Sequence, residues 1–324
     1  MDAFTQTILN SLEVTSGCTE PAAIAFCASL VAKHLGEDPK TIHLKIDQRT
    51  YKNAFGAGIP NAGDLRGSEW ALLFGFIMRC PEKRLSIYSG LNASTINSAI
   101  ELRNRDLITT ELLDLDTLLI DITATGTHHT VEAAIQASHT HVARLIVDQQ
   151  VLIDDTGPEA TAPSKICDDD TSIYLPAKWP DMVEKLFADE TLRSVVREGI
   201  DYNMAAAEHG RKYIHGGGGV DELVMGAIYA RMNGDSIAVM SCAGSGNKGL
   251  TAMIPVAAYA RNNQLGEVLE LKGVMVSVLL TVLITSRFGE VSSVCGALYA
   301  AGAGIIGGLL YLKNRLDLFS GAYN

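Results

Sequence analysis

The sequence predicts an α+β fold, a mainly helical domain formed by the N-terminal and C-terminal segments with an α+β lobe inserted between them. Three observations predict it. Apolar residues recur at helical spacing at Phe4, Ile8 and Leu12 and again from Ala22 to His34. Strand-like alternation is confined to the middle of the chain, and from Pro180 onward helical periodicity returns with no convincing strand. The expected domain limits are 1–40 with 174–324 for the helical domain and 41–173 for the lobe.

The first helical segment is interrupted at Gly17 to Pro21, where a proline is tolerated in a first helical turn, so Cys18 is expected just before a helix N-terminus. There the helix dipole and open N–H groups favour a thiolate. Strands are expected at Ile42 to Ile46, Leu85 to Tyr88, Leu118 to Thr123, Thr140 to Val147 and Val151 to Ile153, the last two joined by the polar Asp148-Gln149-Gln150 turn. Helices at Gly67 to Met78 and Leu91 to Arg103 lie between them. The stretch Asp154 to Asp170, rich in Asp, Pro and Thr, reads as the linker out of the lobe. Helices then follow at Pro180 to Phe187, Leu192 to His209, Val220 to Met232, Gly249 to Asn262, Glu267 to Thr285 and Val291 to Leu312. The last of these lies in 22 uncharged residues between Glu290 and Lys313, long enough for a bilayer. Its glycines and alanines, and the lack of an aromatic belt or flanking basic cluster, point instead to a helix buried in protein.

Composition narrows the function. Of 324 residues, 47% are apolar and 19% charged, as in a globular chain with an aliphatic core. The 26 Lys and Arg against 37 Asp and Glu give a net charge of −11, with no basic block to suit nucleic acid. The N-terminus lacks the basic and apolar regions of a signal peptide, so the cytoplasm is expected. Cysteines at 18, 27, 80, 167, 242 and 295 form no C-x-x-C pair and are expected as free thiols or metal ligands.

Three short stretches concentrate reactive side chains among glycines: Gly17-Cys18-Thr19-Glu20-Pro21, Lys52-Asn53 followed by Gly56, Gly58, Pro60 and Gly63, and Cys242-Ala243-Gly244-Ser245-Gly246-Asn247-Lys248-Gly249. Such glycines let backbone approach a small ligand closely. Thr19 and Glu20 equally suit a helix cap, and the Lys52 stretch a surface loop. The Gly244 to Gly249 run precedes a helix, where N–H groups hold a carboxylate or phosphate. It lacks the Walker A spacing and a Rossmann context, which disfavours a nucleotide. Lys248 as a Schiff-base lysine for pyridoxal phosphate is the rival enzyme class. His139 and His141 fall on one face of an expected strand without a third ligand, as on a solvated face, and Gly216 to Gly219 reads as a connection between helices.

Taken together, these stretches resemble the L-cysteine desulfidase and iron–sulfur L-serine dehydratase alpha-domain superfamily, in its serine-dehydratase-like uncharacterised branch. The match is carried by Gly17 to Pro21, Lys52-Asn53 with Gly56 and Pro60, His139-Thr140, Ala230-Arg231-Met232, Gly244 to Asn247 with Gly249 and Pro255, and Cys295 ahead of a glycine–alanine helix. Order and spacing agree along nearly the whole chain. The resemblance implies a lyase with a 4Fe-4S cluster whose open iron takes the β-leaving group of L-cysteine or L-serine. It implies Cys18 as the base for the α-proton, Asn53, Ser245 and Asn247 as substrate-binding residues, and Cys295 as the first of three cluster ligands. The other two lie beyond that helix in full-length relatives, so the resemblance also implies a chain shortened at its C-terminus. An alternative follows, a catalytically impaired relative acting as a small-molecule-binding or regulatory protein. The expected partner is a small amino-acid substrate, with neither nucleic acid nor membrane and with a homo-oligomer open.

Overall fold

A computed structural model describes residues 2–156, 171–216, 219–289, 291–292 and 294–323. Helix α1 (Ala3–Asn10) is started by Asp2, whose carboxylate accepts from the Thr5 N–H at 2.7 Å. The chain then enters a strand, β1 (Leu12–Ser16), and not a further turn of helix at Leu12. Gly17, at φ 79°, turns it into α2 (Thr19–Leu35), which ends on Gly36 in the left-handed conformation. After β2 (Thr41–Asp47), Asp47 caps α3 (Gln48–Phe55) through the N–H groups of Arg49 and Thr50.

The lobe continues with α4 (Ser68–Met78), α5 (Ala93–Arg103), β3 (Ile108–Leu113), β4 (Leu119–Thr125), β5 (Thr130–Gln136), β6 (Val142–Val147) and β7 (Gln150–Asp154). Its six-stranded sheet has the order β3-β2-β4-β5-β6-β7, parallel between β2 and β3 and antiparallel elsewhere. Alternation puts Ile120, Ile122 and Ala124 of β4 on one face, where they form a core with α2 and α4. The two helices cross closely at Gly75, where a Cβ would lie 2.2 Å from the Ala25 carbonyl oxygen. Thus α2 is buried against the sheet, whereas α1 joins the C-terminal helices.

Those helices are α6 (Trp179–Ala188), α7 (Glu190–Gly210), α8 (Val220–Asn233), α9 (Gly246–Asn262), α10 (Glu267–Phe288) and α11 (Gly296–Leu312). A strand, β8 (Ala238–Cys242), lies between α8 and α9 and pairs antiparallel with β1, Leu12 opposite Cys242. This pairing ties the two ends of the helical part together. Helix α10 alone among the described residues is long and apolar enough to cross a membrane by length and composition, and 72% of its apolar window is buried inside the protein. It forms the axis of the second core, with Gly304 of α11 seated on the Ser277 carbonyl and the Thr281 hydroxyl.

Several expectations are corrected. Leu85 to Tyr88 is not a strand but part of a 3₁₀ segment, Pro81–Gly90, bent at Arg84 (φ 46°), which buries Leu85, Ile87 and Tyr88 in the lobe core. A strand exists in the third part after all. β8 is too short for a periodicity signal and is buried at Val239 to Cys242 without alternation. His139 and Thr140 sit in the β5–β6 turn, β6 starting only at Val142. The final long helix starts at Gly296, not Val291. Most of the expected linker Asp154 to Asp170, and part of Gly216 to Gly219, fall outside the described residues.

Candidate functional site

Helices α2, α9 and α11 begin at one cavity of about 170 Å³, with Cys18, Ser245 and Cys295 as their respective N-cap residues. Cys18 and Cys295 make no side-chain capping bond, and the Ser245 hydroxyl accepts from the Lys248 N–H at 3.4 Å. Three helix N-termini aimed at one small space give it a positive field. The opposite wall comes from the last turns of α3, with Lys52 and Asn53, and of α8, with Arg231 and Met232. Those two turns are clamped together by Gly58, whose N–H donates to the Met232 carbonyl at 2.9 Å. A Cβ at Gly58 would lie 2.3 Å from the Asn233 carbonyl carbon, which only glycine allows.

The floor is a buried hydrogen-bond cluster centred on Glu20. Its Oε2 accepts from Cys18 Sγ and from Thr19 Oγ1, both at 3.0 Å, and its Oε1 accepts from Asn53 Nδ2 at 2.9 Å. Burial works to raise the Glu20 pKa. The charge of His139, the Cys18 hydrogen bond and the charge of Arg231 together outweigh it and hold the carboxyl below its usual range. Burial, then the Glu20 charge, pushes the Cys18 thiol up to about 12 against the opposing pull of Arg231. The helix start is where the sequence placed it, yet the expected thiolate is replaced by a thiol that donates to a carboxylate. A helix dipole contributes too little to offset full burial beside a negative charge.

This arrangement predicts the order of thiol labelling. With a pKa of about 12, Cys18 is ionised to roughly one part in 10⁵ at neutral pH, whereas Cys295 is exposed. Iodoacetamide at pH 7 should therefore alkylate Cys295 at least 100-fold faster than Cys18, with the Cys18 rate rising about tenfold per pH unit up to pH 11. Peptide mass spectrometry reads both rates. A plateau of the Cys18 rate near pH 9 would contradict the proposed burial of its charge.

Arg231 is 1% exposed. Its Nη1 donates to Asn247 Oδ1 at 2.8 Å, while Nε and Nη2 are buried with no hydrogen-bond partner among the described residues. The guanidinium rests on Gly246, where a Cβ would lie 2.4 Å from Nε. Lys248 is also buried, its Nζ 3.5 Å from Thr285 Oγ1 and its stem beneath Gly296.

All five residues singled out from the sequence, Cys18, Asn53, Ser245, Asn247 and Cys295, line the cavity. Asn53 and Asn247 are engaged with Glu20 and Arg231 respectively. From the sequence Arg231 stands out only within the family match, His139 also as one of two histidines on an expected strand face, and Glu20 as a helix cap within the Gly17 to Pro21 match. The signal for Arg231 was its register: Leu223, Ala227 and Arg231 recur four residues apart on the buried stripe of α8.

Among the described residues the cysteines are spread over separate parts of the fold. Among the described residues only Cys18 and Cys295 line the cavity, and Cys18 is committed to Glu20. Cys27 faces the carbonyls of Ile120 and Ala133 in the lobe core, and Cys242 is buried at the end of β8 with its thiol pushed up to about 12 by burial. No group of three or more His, Cys, Asp or Glu among the described residues is placed to hold a metal ion.

Comparison with known proteins agrees with this geometry at the level of family. The family described as serine dehydratase alpha chain matches residues 120–315, more than half of the chain. A UPF0597 protein of Thermosipho africanus is 30% identical over 306 residues, covering 92% of this chain and 73% of the relative. One from Geobacter sulfurreducens is 28% identical over 321 residues, covering 93% and 74% respectively. No solved structure matches the chain. The chain belongs to the serine dehydratase alpha chain family, in company with the UPF0597 proteins.

Proposed function

We propose that the chain is a β-eliminating lyase acting on L-cysteine or L-serine, giving pyruvate, ammonia and sulfide or water. The observation that carries the reading is the Cys18–Glu20 pair, a thiol 3.0 Å from a buried carboxylate at the floor of a cationic cavity of amino-acid size. In this reading Glu20 Oε2 fixes Sγ in place, and Cys18 gives up its proton to solvent to reach the small thiolate population its pKa of about 12 allows. That thiolate takes the substrate α-proton at Sγ. The electrons of the Cα–H bond form the Cα–Cβ double bond, and the Cβ–S or Cβ–O bond breaks with its pair on the leaving group. The resulting aminoacrylate tautomerises to an imine and hydrolyses to pyruvate and ammonia. Asn53 keeps Glu20 oriented, and Ser245 at the start of α9 offers a hydroxyl to the bound amino acid. By resemblance a 4Fe-4S cluster would polarise the leaving group. The described cysteines supply one of its three thiolates, Cys295, so the chemistry assigned to this chain ends at substrate binding and α-proton transfer.

The resting state of Cys18, a thiol whose pKa is pushed up to about 12 and which is bound to Glu20, favours a second reading, a protein that binds the same amino acids without turning them over. The two are separated by incubating the chain with iron and sulfide without oxygen and measuring pyruvate released from L-cysteine and L-serine. Iron-dependent pyruvate is the outcome expected of the lyase. A folded chain that binds L-cysteine yet releases no pyruvate, with or without iron, leaves the binding reading.

A further inference from the structure

We propose that Arg231 reads the carboxylate of the bound molecule through its Nε and Nη2 edge, and that Asn247 acts as a positioning residue for Arg231 instead of touching the ligand's acid group itself. The assignment deepens the reading of the cavity as an amino-acid site and rests on it.

The argument begins with polar satisfaction. A guanidinium has five N–H donors in a fixed plane, and a buried charge is tolerated where those donors are met. Among the described residues only Nη1 of Arg231 has hydrogen-bond partners, Asn247 Oδ1 at 2.8 Å and, more weakly, Met232 Sδ at 3.7 Å. Nε and Nη2 are buried without one among the described residues, in a side chain 1% exposed that lines the cavity. These two nitrogens form the side edge of the fork, the edge that engages the two oxygens of one carboxylate in parallel. The third donor group, tied to Asn247, fixes the rotation of the plane.

The neighbouring backbone is shaped to that plane. Gly246 lies against the guanidinium, and a Cβ there would come within 2.4 Å of Nε, 2.6 Å of Cζ and 2.8 Å of Nη2. The glycine is therefore required by the guanidinium's position, not by its own φ. Helix α9 begins at the same place, so its N-terminus adds positive field on the side where the two donors are open. Asn247, the next residue, supplies the oxygen that holds Nη1. One turn of sequence thus provides both the seat and the lock for a cation carried by α8, and a cavity of about 170 Å³ suits a molecule of amino-acid size.

The test compares binding of L-alanine, which has no β-leaving group, with that of L-alaninamide, by calorimetry on the full chain. The acid should bind about 10- to 100-fold more tightly than the amide, as for two hydrogen bonds to a charged group. In Arg231→Gln the preference should fall to about threefold or less. Gly246→Ala should weaken the acid about tenfold by displacing the fork, and leave amide binding within about threefold. The comparison of acid with amide on the unaltered chain needs no variant, so misfolding of Arg231→Gln would not shield the proposal. Equal binding of acid and amide, or no binding of either, overturns it. A clear preference for the acid in a chain that releases no pyruvate would sustain Arg231 as the carboxylate reader and remove the lyase reading alone.

Discussion

Replacing Cys18 with Ser is expected to lower pyruvate release from L-cysteine about 10³-fold while L-alanine still binds within about tenfold of the parent, the range for losing a positioned general base. The serine hydroxyl can donate to Glu20 as the thiol does, so the buried cluster of Thr19, Glu20 and Asn53 keeps its bonds. What changes is the basicity and reach of the deprotonated atom. An alkoxide beside Glu20 forms far less readily than a thiolate whose pKa is already about 12. Glu20→Gln tests the other half of the pair. The carboxylate accepts three donors, and an amide brings one oxygen and two donors of its own, so at least one of the three bonds is lost. Turnover should again fall about 10³-fold, now with a stability loss of about 1–3 kcal/mol for the stranded partners. The Cys18→Ser variant working at the parental rate would remove Cys18 as the base.

Gly249→Ala is expected to destabilise the protein by about 3 kcal/mol or more, through a clash that neither side can relieve by changing a rotamer. A Cβ at Gly249 would lie 1.9 Å from the Met240 carbonyl oxygen and 3.0 Å from the Ser241 carbonyl carbon, both backbone atoms of β8. Relief requires α9 to move away from β8, and β8 is held to β1 along its length. The same shift would displace the α9 start and, with it, Ser245, Asn247 and the seat of Arg231. Gly302→Ala in α11 is the contrasting case, since a Cβ there meets nothing within 4 Å. It should leave stability unchanged or raise it by up to about 1 kcal/mol. Thermal melts of the two variants check the pair; equal melting temperatures would mean that α9 is not held against β8 as closely as these distances require.

Much of this site could be read from local sequence because its parts are helix beginnings. Gly17 before Cys18 and Gly244 before Ser245 mark places where the chain must turn sharply, at φ 79° and 77°, before a helix starts. Such turns are decided within a few residues. The same holds for most of the helices, for β2, β4 and β6, whose alternation survives in a short window, and for the short apolar run of β7. No strand is expected from the sequence at β3 or β5. β1 and β8 were missed for the converse reason. Each is five residues long and stable only because the other, more than two hundred residues away, supplies its hydrogen bonds.

The chemistry of the cavity depends on the same long-range closure. Local sequence puts Cys18 at a helix start and thereby argues for a thiolate. The fold buries that thiol, sets it against Glu20 and brings in His139 from the β5–β6 turn and Arg231 from α8, which reverses the expected charge state. Spacing along the chain specifies where helices start and which residue types stand there. Ionisation, and which donors are left to meet a ligand, follow from burial and from charges on distant segments, because electrostatic interactions act through space and strengthen as water is excluded.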